Sequence, residues 1–170
     1  MSDPTQNDLF RPSLSAADQT SAFGKPWRPR SLVILCYLGG ALAGALLLGL
    51  NFGRLGMPGR FWKVLGAGAV LAVFLAAGAS LAELQYASTE DPAQNRDARR
   101  WIRITQSLAA AGFGLVAAAQ QRKRFEMYEA TERPPAAILL PGIGAWLGGG
   151  VVHLILLFLF QLLWLRLLGP

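Results

Sequence analysis

Charge along this chain comes in blocks, and the stretches between the blocks are apolar and long. Lysine, arginine and the acids fall in the N-terminal tail, from Arg54 to Lys63, from Glu83 to Arg103, from Arg122 to Arg133, and at Arg166. A helix of about 20 apolar residues crosses the roughly 30 Å hydrocarbon core of a bilayer, and the uncharged stretches approach that length. Of the 170 residues, 15% are charged and 53% hydrophobic, whereas ordinary soluble domains carry about 25% charged residues. The expected fold class is all-α integral membrane: a four transmembrane helix bundle behind a flexible polar N-terminal tail.

Residues 1–30 are polar and contain Pro4, Pro12, Pro26 and Pro29, with too little apolar surface to offset the entropy of ordering. The first apolar run starts at Leu32, so the tail is not expected to be a signal peptide, whose apolar stretch lies near the terminus. Leu9, Phe10 and Leu14 read either as docking anchors or simply as tail. Spans are expected over about 31–50, 64–81, 101–120 and 143–164 within a membrane domain covering 31–168. Trp27, Arg28 and Arg30 suit the headgroup rim ahead of the first span. Gly53, Gly56, Pro58 and Gly59 form a tight turn, which makes the first two spans an antiparallel hairpin.

The third segment is the weakest. Its clean apolar part, Leu108 to Ala119, must be extended back past Ser107, Gln106, Thr105 and Arg103 to reach Trp101. With Asp91–Pro92 as a helix start, one long helix from Pro92 to Ala130 also fits. The fourth stretch exceeds the core thickness and is expected to break at Pro141–Gly142, leaving a short interfacial piece over 136–140. Four crossings put both termini on one face. The basic residues then divide almost evenly between the faces, and the termini are expected in the cytoplasm. Heavy use of Ala, Gly, Leu and Arg points to a bacterial inner membrane.

Small residues recur at four-residue spacing: Gly40 and Gly44, then Gly49 and Gly53, in the first segment, and Gly68, Ala72, Ala76 and Ser80 in the second. Ala110, Gly114 and Ala118 follow in the third, and Gly144 and Gly148 in the fourth. Residues four apart share a helical face, and small ones let backbones approach closely in lipid. These positions are expected to pack helices together, and the chain to assemble with itself or with other membrane subunits.

Ionisable groups inside a membrane are the usual pointers to function. Glu83 and Arg103 fall near one bilayer face, where an intramembrane ion pair is expected. His153 is the chain's one histidine. At about 100° per residue it shares a face with Trp146, Gly149, Leu157, Phe160 and Trp164, with Gly150 and Gln161 alongside. A neutral histidine bonded to a neighbouring helix is the plainest reading. A haem or chlorophyll-type pigment at His153 is the cofactor alternative, because flanking glycines make room for a macrocycle. No catalytic triad, HExxH, P-loop or GxSxG string is present. Glu126, Glu129 and Glu132 after the RKR cluster read as a solvated helix end. The lone Cys36 reads as a small buried hydrophobe. The net charge of +6 belongs to residues flanking the spans, not to one soluble face with a nucleic-acid motif, so no nucleic-acid partner is expected.

NFGRLGMPGR, residues 51–60, resembles the Asn-aromatic-x-x-Leu-Gly turn of uncharacterised small multi-spanning bacterial membrane proteins. The resemblance covers the first hairpin only and implies a multi-pass inner-membrane protein, with no activity or site attached. The function expected first is a non-enzymatic accessory or scaffold subunit of a membrane complex. The alternatives are a small oligomeric transporter or channel lined by Glu83, Arg103, Gln161 and His153, and a pigment-binding subunit ligated through His153.

Overall fold

A computed structural model describes residues 24–87, 92–130 and 134–168; Leu9, Phe10, Leu14 and Asp91 lie outside them. The described residues form four helices, α1 (Pro29–Arg54), α2 (Gly59–Ala87), α3 (Pro92–Glu129) and α4 (Leu139–Leu168). By length and composition all four are long and apolar enough to cross a membrane.

α1 begins at Pro29, whose fixed φ suits the first turn of a helix, but it does not run straight. Gly40 sits at φ 79° and ψ 179°, a region open essentially only to glycine, and the chain reverses there. A Cβ added to Gly44 would lie 3.1 Å from the Cys36 Cα, whereas continuous helix would hold the two residues about 12 Å apart. Trp27, just ahead of α1, and Asn51, in its last turn, are hydrogen-bonded to each other. α1 is therefore a helical hairpin with arms 29–39 and 41–54, about 16 and 21 Å long at ~1.5 Å per residue. Neither arm reaches the roughly 30 Å of a hydrocarbon core. The single span expected over 31–50 is two half-length arms, and Gly40 is the point of reversal, not a packing position.

The second arm ends in a Schellman cap. Gly56 adopts φ 74°, the Met57 N–H donates to the Phe52 carbonyl at 2.8 Å, and the Gly56 N–H donates to the Gly53 carbonyl at 3.1 Å. Both bonds satisfy carbonyls that a helix end leaves free, and the chain turns directly into α2.

The hairpin sits at the centre. α1 touches all three other helices and α2 touches α3 and α4, while α3 and α4 do not meet. The buried core joins Leu32, Cys36, Ala43, Leu47, Leu48 and Phe52 of the hairpin to Trp27, Ala117 and Ala145. Small residues bring each neighbour close. A Cβ on Gly68 of α2 would collide with Ala45, and one on Gly114 of α3 would stand 2.8 Å from the Cys36 Sγ. On α4, a Cβ on Gly149 would stand 2.7 Å from the Ala43 Cβ. Gly44 is closed off by Cys36 of the opposite arm, and Ala72, Ala76 and Ala110 are buried.

Gly144 and Gly148 are placed otherwise. Both are exposed, and a Cβ on either would meet nothing within 4 Å. The inward face of α4 carries Gly142, Ala145 and Gly149, spaced by three and four and so stacked on one side of the helix. The expected break at Pro141 is also absent. Pro141 falls in the first turn of α4, where its missing N–H has no helical partner to lose, and the Gly142 N–H already bonds the Ile138 carbonyl at 2.8 Å. α3 is one helix of 38 residues, the longer of the two forms considered for it. The polar tail does not extend to residue 30, because Pro26 is buried and Trp27 is only 1% exposed.

These placements separate two glycines on one helix. Gly149→Val forces a branched side chain against Ala43, an overpacking that costs about 1–3 kcal/mol. Thermal unfolding of the detergent-solubilised protein is expected to show a lowered midpoint for Gly149→Val and an unchanged one for Gly148→Val.

Candidate functional site

The open ends of the hairpin are tied by a buried amide network. The Trp27 N–H donates to Asn51 Oδ1 at 2.7 Å, and Asn51 Nδ2 donates to the Trp27 carbonyl at 3.1 Å. The same nitrogen donates to Gln121 Oε1 of α3 at 2.6 Å, and Gln121 Nε2 donates to the Leu48 carbonyl at 3.0 Å. Asn51 and Gln121 are completely buried. The indole N–H of Trp27 reaches the Ala137 carbonyl at 3.1 Å, and the Ala136 N–H reaches the Pro26 carbonyl at 3.0 Å. Arg54 lies 3.6 Å from the centroid of the Trp27 ring, a cation–π arrangement, and donates to the Lys25 carbonyl at 2.8 Å. One knot thus joins the approach to α1, the end of α1, α3 and the lead-in to α4.

At the other end of the hairpin the arms stop, while α2, α3 and α4 continue. The space beyond the tip is a cleft of about 260 Å³. The tip contributes Tyr37 to Leu42, α2 gives Ala72 and Leu75, α3 gives Arg103, Gln106 and Ser107, and α4 gives Trp146, Gly149, Gly150, His153 and Leu156. The reversal frees the last carbonyls of the first arm and the first N–H groups of the second. One of these carbonyls, that of Leu38, accepts from Trp146 Nε1 at 3.1 Å. Gln106 donates to the Leu75 carbonyl at 3.1 Å, which fixes its side chain between α3 and α2.

Arg103 and His153 both line the cleft, and neither has a hydrogen-bond or ion-pair partner among the described residues. No Asp or Glu is among the lining residues. The Arg103 guanidinium makes the cleft a cationic, donor-bearing site, with apolar walls at Leu42, Leu75 and Leu156. Its chemistry suits a small anion. Its volume lies below the ~300 Å³ at which pockets begin to hold drug-sized ligands.

The structure distributes the expected site residues between two places. His153 lies in the cleft with Trp146, Gly149 and Gly150, the neighbours that its helical face gives it. Arg103 is there too. Glu83 is not, because its Oε2 accepts from Gln161 Nε2 at 3.0 Å. No ion pair joins Glu83 to Arg103: α4 supplies the neighbour of Glu83, and α3 does not. Tyr37, Gln106 and Ser107 are additions to the site. Gln106 and Ser107 were visible in the sequence as the polar residues that interrupt the third apolar run. Asn51 was marked only as the first residue of the Asn-aromatic-x-x-Leu-Gly turn, with no role attached, and Gln121 carried no separate signal, since it stands at the end of an apolar segment where a polar residue is ordinary.

Comparison with protein-family models, with curated proteins and with solved structures returns no match.

Asn51 holds the knot, and truncating it exposes the dependence. Asn51→Leu leaves the Trp27 N–H, the Trp27 carbonyl and Gln121 Oε1 without their Asn51 partner, each unsatisfied group costing about 1–3 kcal/mol. Thermal unfolding in detergent is expected to show a larger loss for Asn51→Leu than for Arg60→Leu, which removes an exposed hydrogen bond to Gln120 and a distant contact over the Phe52 ring.

Proposed function

We propose that the chain is an integral membrane protein in which α2, α3 and α4 cross the bilayer, α1 is re-entrant, and a small anion passes by way of the cleft beyond its tip. The observation that carries this reading is the juxtaposition of interrupted helix and unpartnered cation. Non-helical backbone at membrane depth is tolerated where it is buried in protein or lines a polar cavity. Discontinuous helices near the midplane are a recurrent way of building solute sites in transporters. Here the reversal at Gly40 opens onto Arg103 and His153. The large apolar side chains of α4 that face outward, Leu147, Leu154, Phe158 and Leu165 among them, suit contact with lipid.

A re-entrant α1 changes the topology. The first arm and the second begin and end on one face, so three crossings put the tail and the C-terminal end of α4 on opposite faces. The face with Trp27 then carries Lys25, Arg28, Arg30, Arg54, Arg60, Lys63, Arg122, Lys123 and Arg124. The other carries Arg96, Arg99, Arg100 and Arg166, with Arg103 lying in the cleft. The near-even division that four spans produce becomes unequal, and the positive-inside rule assigns the Trp27 face to the cytoplasm. We place the protein in a bacterial inner membrane on composition.

A second reading, an accessory or scaffold subunit, is supported by Gly144 and Gly148. These exposed glycines lie four apart on α4 and leave room for the close approach of another helix, whether from a second copy or from a different subunit.

Proteoliposome flux decides between the two. Efflux of chloride, nitrate, phosphate or acetate is expected to exceed that of potassium. Arg103→Gln is expected to lower it about tenfold or more, the loss of one charge-assisted hydrogen bond worth ~1.5–3 kcal/mol. Flux no greater than in empty vesicles, or potassium flux indifferent to Arg103, removes the transport reading and leaves the subunit reading.

A further inference from the structure

A second groove lies on the outside of the bundle, between the first arm of α1 and the C-terminal half of α3. Its volume is about 540 Å³, and it belongs neither to the cleft nor to the amide knot. Toward the middle of the helices its lining is apolar, with Val33, Leu115 and Ala118. Toward the Trp27 face the lining becomes charged: Arg28 and Arg30 on the α1 side, and Arg122, Glu126 and Glu129 on the α3 side. All five charged residues are exposed, and Arg122 Nε donates to Glu126 Oε1 at 2.7 Å.

The order of these groups along α3 follows the order of groups in a phospholipid. Leu115 and Ala118 stand deepest, Arg122 one turn further out, and Glu126 and Glu129 one to two turns beyond it. Acyl chain, phosphate and amine are met in that sequence on leaving the hydrocarbon core. A purely anionic headgroup would find the arginines but also two carboxylates. A quaternary ammonium carries no N–H to give a carboxylate, whereas a primary ammonium gives three.

We propose that this groove binds an aminophospholipid, its acyl chain against Val33 and Leu115, its phosphate at Arg28 and Arg30, and its primary ammonium at Glu129 and Glu126. The site depends on the chain residing in a bilayer and not on transport through the cleft, and its readout is independent of flux.

Native mass spectrometry of the full chain in mild detergent tests it. The protein is offered equal amounts of phosphatidylethanolamine, phosphatidylcholine and phosphatidylglycerol of identical acyl composition. The ethanolamine lipid is expected to be retained several-fold over the other two, as judged from adduct abundance. Glu129→Gln, a change at the exposed end of α3, is expected to abolish the preference over phosphatidylglycerol while lipid is still retained. Arg30→Gln is expected to reduce retention of both phosphatidylethanolamine and phosphatidylglycerol. Phosphatidylglycerol retained as well as or better than phosphatidylethanolamine by the unmodified chain overturns the proposal, as does an ethanolamine preference that survives Glu129→Gln.

Discussion

A helix that turns back on itself frees backbone carbonyls and N–H groups at the corner, and an apolar surrounding offers them nothing. The rest of this fold follows from how α1 meets that constraint at Gly40. Glycine makes the φ 79°, ψ 179° corner available, and Trp146 reaches across from α4 to take the Leu38 carbonyl. The arms then lie close enough for the Cys36 side chain to pack directly on the Gly44 backbone. At the open end, Asn51 bonds both polar groups of the Trp27 backbone and so holds the two ends of the hairpin together. Hydrogen bonds and close packing of this kind are what can hold helices together in lipid, where burial of apolar surface gives them no drive to associate.

The hairpin is shorter than the helices around it, and this shortness creates the site. α2, α3 and α4 are gathered around the arms through Gly68, Gly114 and Gly149, which fixes their spacing. Past the tip nothing separates them, and α3 and α4 do not close on each other. The polar residues that weaken α3 as an apolar segment are the ones that reach this gap. Arg103, Gln106 and Ser107 are costly in lipid and useful in a cleft. His153 joins them from α4, on the face that carries Gly149, the glycine that lets its helix approach the hairpin.

Much of this was legible from residue order. Segregated charges and the lengths between them give the helices, and the 3.6-residue period gives the face that His153 shares with Trp146 and Gly149. The hairpin was not legible, because residues 31–50 are as apolar and as long in two arms as in one span. The adjacent Gly39 and Gly40 were its trace, and a glycine spaced four from another reads equally as a packing position. Hydropathy likewise cannot tell that Pro141 lies in a first turn, where it does no harm, instead of inside a helix. Glu83 and Arg103 were matched by depth. Depth does not say which helix is adjacent, and Gln161 stands next to Glu83.

Whether α1 enters and leaves by one face is the claim on which cleft and topology both depend. Cysteine accessibility measures it directly: Lys25→Cys and Arg166→Cys, each in a Cys36→Ala background, treated in intact cells with a membrane-impermeant maleimide. Three crossings predict that Arg166→Cys is labelled from outside and that Lys25→Cys is labelled only after the membrane is opened. Labelling of both positions from the same side would mean four crossings, and would contradict a re-entrant α1.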